Sequence, residues 1–245
     1  MRLAFREYGR PDAPAMVLLH GLTSDGSSFD GVADVLAERW RVLVPDQRGH
    51  GETGPAAEYS FELLAADLGE FLDEQGLTAP VLVGHSMGAV AAYLHAARQP
   101  ARVGVLVLAE SPPPFPQQRP IPERPGEVLG YDWRARVDLI GQVNSPGAGW
   151  FGELAVVRAP TLVIGGGPTS PFPQEQMRAM AEQVPNGRFH ELPVGHGVHR
   201  EAPEEFVALL TEFAGGFVAG FGGGFGGGED GQVAGRGDVA RGEAG

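Results

Sequence analysis

The chain has 245 residues, enough for one sizeable α/β core with little left for a second full domain. Its formal net charge of −13 argues against nucleic acid or an anionic membrane as a partner. It has no Cys, and its 18 basic residues include no Lys, which excludes disulfides, thiol nucleophiles, thiolate metal sites and Schiff-base or Ser-Lys chemistry.

The first residues, Met-Arg-Leu-Ala-Phe-Arg-Glu, interrupt their apolar run with charges and do not read as a signal peptide. No run of about 18 apolar residues occurs, so a soluble cytoplasmic protein is expected. Residues 3–8 form a short candidate strand, turned by 10–14, and 15–19 is an apolar run that reads as a central strand ending in His20-Gly21. After a Gly- and Ser-rich loop, Phe29, Val32, Val35 and Leu36 recur at helical spacing over 29–39. Residues 41–45 are the next strand. Ser60 is placed to cap a helix that runs to about Gln75, with Phe61, Leu64, Leu68, Phe71 and Leu72 on one face and Gly76 as its stop.

The stretch that opens at Val81 and residues 103–108 are further apolar strands, separated by a helix that stops at Pro100. Strands that are apolar throughout and alternate with helices predict a parallel sheet covered on both faces. Between Pro112 and Pro146 fall eight prolines, and over 111–158 we read a short excursion lying across the sheet edge, without clean periodicity. The strand pattern resumes at 161–164, followed by a helix over 174–184, a last strand over 188–192 and a helix over 203–213 that opens on proline. From Ala214 to Gly245 the chain is Gly-rich and lacks the apolar content to offset its ordering entropy, so disorder is expected there. Arg236-Gly237-Asp238 within it is read as compositional noise.

The chemistry centres on Val-Leu-Val-Gly-His-Ser-Met-Gly at 81–88. A strand, a tight turn and a helix, with Gly84, Ser86 and Gly88 as G-x-S-x-G, is the context of a nucleophile elbow. The flanking positions must be small, because a Cβ there would collide with the neighbouring strand or helix. The serine hydroxyl is thereby held at the N-terminal end of the helix.

Four stretches then resemble the α/β-hydrolase superfamily over about residues 3–213: Leu18-Leu19-His20-Gly21, Asp46-Gln47-Arg48-Gly49-His50-Gly51, Gly84-His85-Ser86-Met87-Gly88, and Gly195-His196 followed by Glu201-Ala202-Pro203. The resemblance implies an α/β-hydrolase fold, with a mostly parallel sheet, helices on both faces and a short proline-rich cap. It implies Ser86 as nucleophile and His196, on the loop after the last strand, as its base. His199 competes with His196, but its place beside Arg200 at a helix start suggests packing. His85 is expected to pack, and His20 and His50 to hold their loops. A metal site at His196, His199 and Glu201 has no further support in the spacing. By the same resemblance the backbone N–H groups of Leu22 and Met87 form the oxyanion hole.

The acid departs from the family pattern. The usual loop, here 165–170, carries no carboxylate, and Thr169 stands where Asp is expected. Either the site is inactive or the acid has moved. Glu110 follows the strand next to the elbow strand and leaves the same edge of the sheet, where some members, haloalkane dehalogenases among them, carry their acid. Glu175 and Glu191 are weaker candidates. In the excursion, Phe115, Trp133 and Trp150 suggest a pocket for an uncharged or aliphatic acyl group.

The reading that follows is a cofactor-free, metal-free serine hydrolase acting on a small-molecule carboxylic ester, with no nucleic-acid or membrane partner and no indication of oligomeric state. The alternatives are an aminopeptidase (with Glu123 or Glu127 meeting a free amine), a lactonase, an acyltransferase, or a non-catalytic ligand-binding member of the fold.

Overall fold

The computed structural model describes residues 1–218. In chain order the elements are β1 (Phe5–Tyr8), β2 (Ala15–Leu19), α1 (Asp30–Leu36), β3 (Arg41–Pro45), α2 (Phe61–Glu74), β4 (Val81–His85), α3 (Met87–Arg98) and β5 (Val105–Ala109). There follow α4 (Trp133–Asn144), α5 (Trp150–Glu153), β6 (Thr161–Gly165), α6 (Gln174–Gln183), β7 (Gly187–Glu191), α7 (Val198–Glu201) and α8 (Pro203–Val218). The strands form one sheet in the order β1-β3-β2-β4-β5-β6-β7. Only β1 runs antiparallel to its neighbour, β3.

The unbroken apolar strands are explained by burial on both faces. Val17, Leu19, Leu82 and Leu106 face a core shared with α2, α3 and α6, while Met16, Leu18, Val83 and Val107 face a second core closed by α1 and α8. In α2 the Ser60 hydroxyl accepts from the Leu63 N–H at 3.1 Å, satisfying one of the four free donors of the first turn. Gly76 takes φ +66° just beyond the helix, a conformation that costs glycine little.

Two segments differ from the sequence expectation. The excursion contains a regular helix, α4, whose Ala135, Leu139, Ile140 and Val143 are buried and whose first turn is capped by Asp132 on the Arg134 N–H. Its apolar period is plain once the surrounding prolines are set aside, since none falls between Pro125 and Pro146. The last helix continues past Phe213 to Val218, with Ala214 buried against the second core. The remainder of the Gly-rich segment, 219–245, lies outside the described residues. No helix among the described residues is long and apolar enough to cross a membrane.

Burial of polar groups gives the fold a pH dependence. His20, His50, His85, His95 and His199 are all buried. Burial is the largest cause lowering each of their pKa values, to about 4 for His50 and about 3 for His199. These imidazoles therefore stay neutral in the fold when the unfolded chain, titrating near 6.5, takes up protons. Their stabilisation is complete above pH 6.5 and is lost as pH falls, at about 1.4 kcal/mol per pH unit for each histidine until its folded pKa is reached. Denaturant midpoints measured from pH 7 to 4 are expected to fall steeply below pH 6.5, and a midpoint constant down to pH 4.5 would contradict this.

Candidate active site

Among the described residues, three non-glycine residues have positive φ: Thr23 (67°), Ser86 (52°) and Glu110 (49°). Each follows the C-terminal end of a central strand (β2, β4 or β5). Strain of this kind costs about 1–3 kcal/mol per residue and persists only where the surroundings enforce it. At Ser86 the enforcement is visible. A Cβ on Gly84 would strike the Ala89 backbone at the start of α3, and one on Gly88 would strike the Leu19 carbonyl at the end of β2. The Ser86 N–H donates to the Ala109 carbonyl at 2.9 Å, so the turn is tied to the end of β5.

His196 reaches this turn on the loop between β7 and α7. Its Nε2 lies 3.1 Å from Ser86 Oγ, and its Nδ1 lies 3.1 Å from Glu110 Oε2. With Nδ1–H donating to the carboxylate, Nε2 is the acceptor for the serine hydroxyl. The loop is fixed from two sides. Leu192 and Gly195 donate their N–H groups to the carbonyls of Gly165 and Gly166 at 2.8 Å each, and His85 Nε2 donates to the His196 carbonyl at 2.8 Å. His85 thus positions His196 as well as packing against its ring, a role that sequence reasoning did not assign. His199 lies elsewhere. It is buried between Phe29 and His85, and neither of its ring nitrogens has a hydrogen-bond partner among the described residues.

Glu110 is fully buried and its carboxylate is surrounded by donors. Gly166 N–H donates to Oε1, and Ser170 Oγ donates to Oε2 at 2.6 Å. The loop that lacks a carboxylate is therefore the loop that receives one. A Cβ on Gly166 would strike the Gly195 carbonyl and stand 2.9 Å from Glu110 Oε1, so the glycine admits both the His196 loop and the side chain arriving from β5. Thr169 lies in a single 3-10 turn of this loop. Glu191 ends β7 with its side chain exposed and has no contact with His196; Glu175 sits in the first turn of α6.

The loops after β2 and β3 are locked together by two neutral imidazoles. His20 Nδ1 donates to the Gly21 carbonyl, which leaves Nε2 to accept from the Gln47 N–H at 2.9 Å. His50 Nδ1 donates to the Arg48 carbonyl, and its Nε2 accepts from the Thr23 N–H at 3.3 Å. Asp46 adds bonds from the N–H groups of Gly26 and Glu52. Thr23 N–H is thus occupied, while the Leu22 N–H beside it has no partner among the described residues. Met87, as the first residue of α3, likewise has no intrahelical acceptor for its N–H. Both residues line the cleft that opens over Ser86 and His196.

That cleft has a volume of about 230 Å³. Apolar lining comes from Phe61 and Phe172 and, on α4, from Leu139, Ile140 and Val143. Phe115, Trp133 and Trp150, the aromatic residues expected from the sequence, do not line it. Phe115 packs on Phe151, Trp133 carries the Arg136 guanidinium, and Trp150 stands edge-on behind Phe61 with its Nε1–H on Glu62. An aromatic count over a cap gives no side-chain direction, and α4 turns its own aliphatic face inward instead. Nor is the cleft uncharged, since Arg119 and Arg136 also line it. Glu123 and Glu127 are exposed and are not among its lining residues.

The comparisons agree with the fold. The sequence profile of the alpha/beta hydrolase family matches residues 16–209. The chain is 26% identical over 252 residues to the sn-1-specific diacylglycerol lipase ABHD11 of Mus musculus, covering 84% of this chain and 82% of that protein. Among solved structures, it is similar to a thermophilic esterase from Thermogutta terrifontis (TM-score 0.76, 24% identity, 88% of this chain and 93% of the other). It is also similar to the enol-lactonase from Burkholderia xenovorans LB400 (TM-score 0.73, 21% identity, 87% and 96%), a likeness that, like the previous one, concerns the fold alone. With a profile match running from β2 into α8, on a parallel sheet whose central strands carry the strained serine turn, the chain belongs to the alpha/beta hydrolase family.

Proposed function

We propose that this protein is a serine hydrolase that cleaves a carboxylic ester of a small or medium acyl group through an acyl-enzyme. The reading is carried by one observation, the series Ser86 Oγ, His196 and Glu110 with 3.1 Å on either side of the imidazole. Ser86 Oγ attacks the ester carbonyl carbon while its proton passes to His196 Nε2. The N–H groups of Leu22 and Met87 receive the developing oxyanion, each donor contributing a few kcal/mol, on the order of 3, to the transition state. Collapse of the tetrahedral species breaks the bond to the alkoxide, which takes the proton from His196. Water then repeats the sequence against the acyl-enzyme and restores Ser86. Glu110 holds the imidazole in the Nδ1–H tautomer and stabilises its cationic form.

The name of the sequence relative, a diacylglycerol lipase, supports an acyl–oxygen substrate. The non-catalytic alternative was motivated by the missing carboxylate after β6, and Glu110 reaching Gly166 and Ser170 removes that motive. A cytoplasmic enzyme acting on a small molecule without a cofactor completes the proposal. A fluorophosphonate probe is expected to label Ser86, as mapped by peptide mass, and to stop release of 4-nitrophenol from 4-nitrophenyl butyrate. An unlabelled Ser86 together with no turnover across short acyl esters would end the proposal.

A further inference from the structure

The cleft holds two guanidinium groups that the reaction itself does not use. Carboxylates outnumber basic residues in this chain by 31 to 18, and the other half-buried arginines among the described residues each take one as a partner: Arg6 with Asp46, Arg41 with Glu7, Arg48 with Asp67, Arg102 with Asp73. Arg119 and Arg136 are half-buried in the cleft and, among the described residues, form no ion pair. Arg119 lies over Phe172, its guanidinium carbon 4.8 Å from the ring centroid, and Arg136 lies over Trp133 at 5.3 Å. Stacking satisfies the face of a guanidinium and leaves its N–H edge free to fork an oxyanion. Arg136 donates once, from Nη1 to the Tyr131 hydroxyl at 3.2 Å, and its buried Nε has no partner.

The two side chains are also held on one unit. Asn144, at the end of α4, clamps the Arg119 backbone through both its N–H and its carbonyl, at 2.7 and 2.9 Å, and Arg136 projects from the first half of the same helix. Desolvation without a compensating carboxylate lowers the pKa of Arg119, which marks the site as short of negative charge.

We infer that the ester substrate carries an oxyanion, a carboxylate or a phosphate, that Arg119 and Arg136 receive while Ser86 meets the ester carbonyl. The inference rests on the hydrolase reading and sharpens it. A cleft of about 230 Å³ suits a group of a few carbons with its terminal anion.

The test compares each anionic ester with its neutral counterpart in the same preparation, so that folding losses cancel. Mono-4-nitrophenyl glutarate is set against methyl 4-nitrophenyl glutarate, after subtraction of spontaneous rates, and 4-acetoxybenzoate against methyl 4-acetoxybenzoate, which moves the anion to the leaving group. In at least one pair the anionic ester is expected to have the higher kcat/KM by about 10- to 100-fold. That ratio is expected to fall towards one in R119M/R136M and to survive in part in R119K. Competitive inhibition by glutarate or by inorganic phosphate, lost in the double variant, identifies the anion as carboxylate or phosphoryl. A ratio near one in both pairs of the unaltered enzyme overturns the inference, as does an equal loss for charged and neutral esters in the variants, which would place the arginines at the reaction oxyanion. Absence of turnover for every ester, with Ser86 unlabelled by the fluorophosphonate, removes the hydrolase reading and this inference with it.

Discussion

Replacement of Ser86 by alanine is expected to lower kcat/KM for 4-nitrophenyl butyrate by about 10⁴-fold or more. No other hydroxyl can substitute at that point, because the position is set by a strained turn with φ 52° rather than by a flexible loop. Alanine keeps the N–H bond to Ala109 and removes only one partly buried oxygen, so the melting temperature is expected to move by no more than a few degrees, about 2–4 °C per kcal/mol for a domain of this size. Residual activity within tenfold of the unaltered protein, in a variant that no longer reacts with a fluorophosphonate, would place the reaction at another residue.

The second large effect is expected from Glu110→Gln. The amide keeps the shape of the carboxylate and its acceptor for the Gly166 N–H. Its NH₂ group, however, would face both the Ser170 hydroxyl and His196 Nδ1, where two donors now meet an acceptor. The imidazole then favours the tautomer with Nδ1 bare and Nε2 protonated, which cannot take the serine proton. A fall in kcat of about 10³- to 10⁴-fold at neutral pH is expected, with KM little changed. Glu110→Asp should fall between, since it keeps the charge but loses one methylene of reach. Full activity in Glu110→Gln would remove Glu110 from the mechanism.

How far the sequence carried these conclusions depended on whether a property is local. The strands at 15–19 and 103–108 were legible because burial on both faces leaves an unbroken apolar run. The turn at Ser86 was legible because two glycines and an apolar strand are needed within a few residues. Glu110 could be chosen as the acid from its place at the sheet edge, but its route to His196 was not legible, since it depends on donors from the loop after the neighbouring strand, Gly166 and Ser170. Helix α4 was hidden by neighbouring prolines that it does not contain, although Ala135, Leu139 and Val143 fall four apart. The positions of Arg119 and Arg136 in the cleft were not legible at all. Arg119 is brought there by Asn144 and Phe172, contacts between segments that no spacing encodes, and the Arg136–Trp133 stack, an i, i+3 pair, needs helix α4 to be recognised first. The aromatic residues assigned to the pocket failed for the same reason.

The register of β4 on β5 sets His85 opposite Ala109, so Ser86 and Glu110 begin from adjacent ends of one hydrogen-bonded ladder. Their backbones are separated by little more than the inter-strand spacing, about 4.8 Å, and neither can drift without shearing the centre of the sheet. His196 alone of the three arrives from outside that frame, on a loop hung from Gly165, Gly166 and His85. Misalignment on heating is therefore expected to enter through His196, whose loop is tied to the ladder by hydrogen bonds but is not part of it, while the other two form a fixed anvil. Substitutions in residues 192–197 would retune the turnover rate while leaving the anvil as it is.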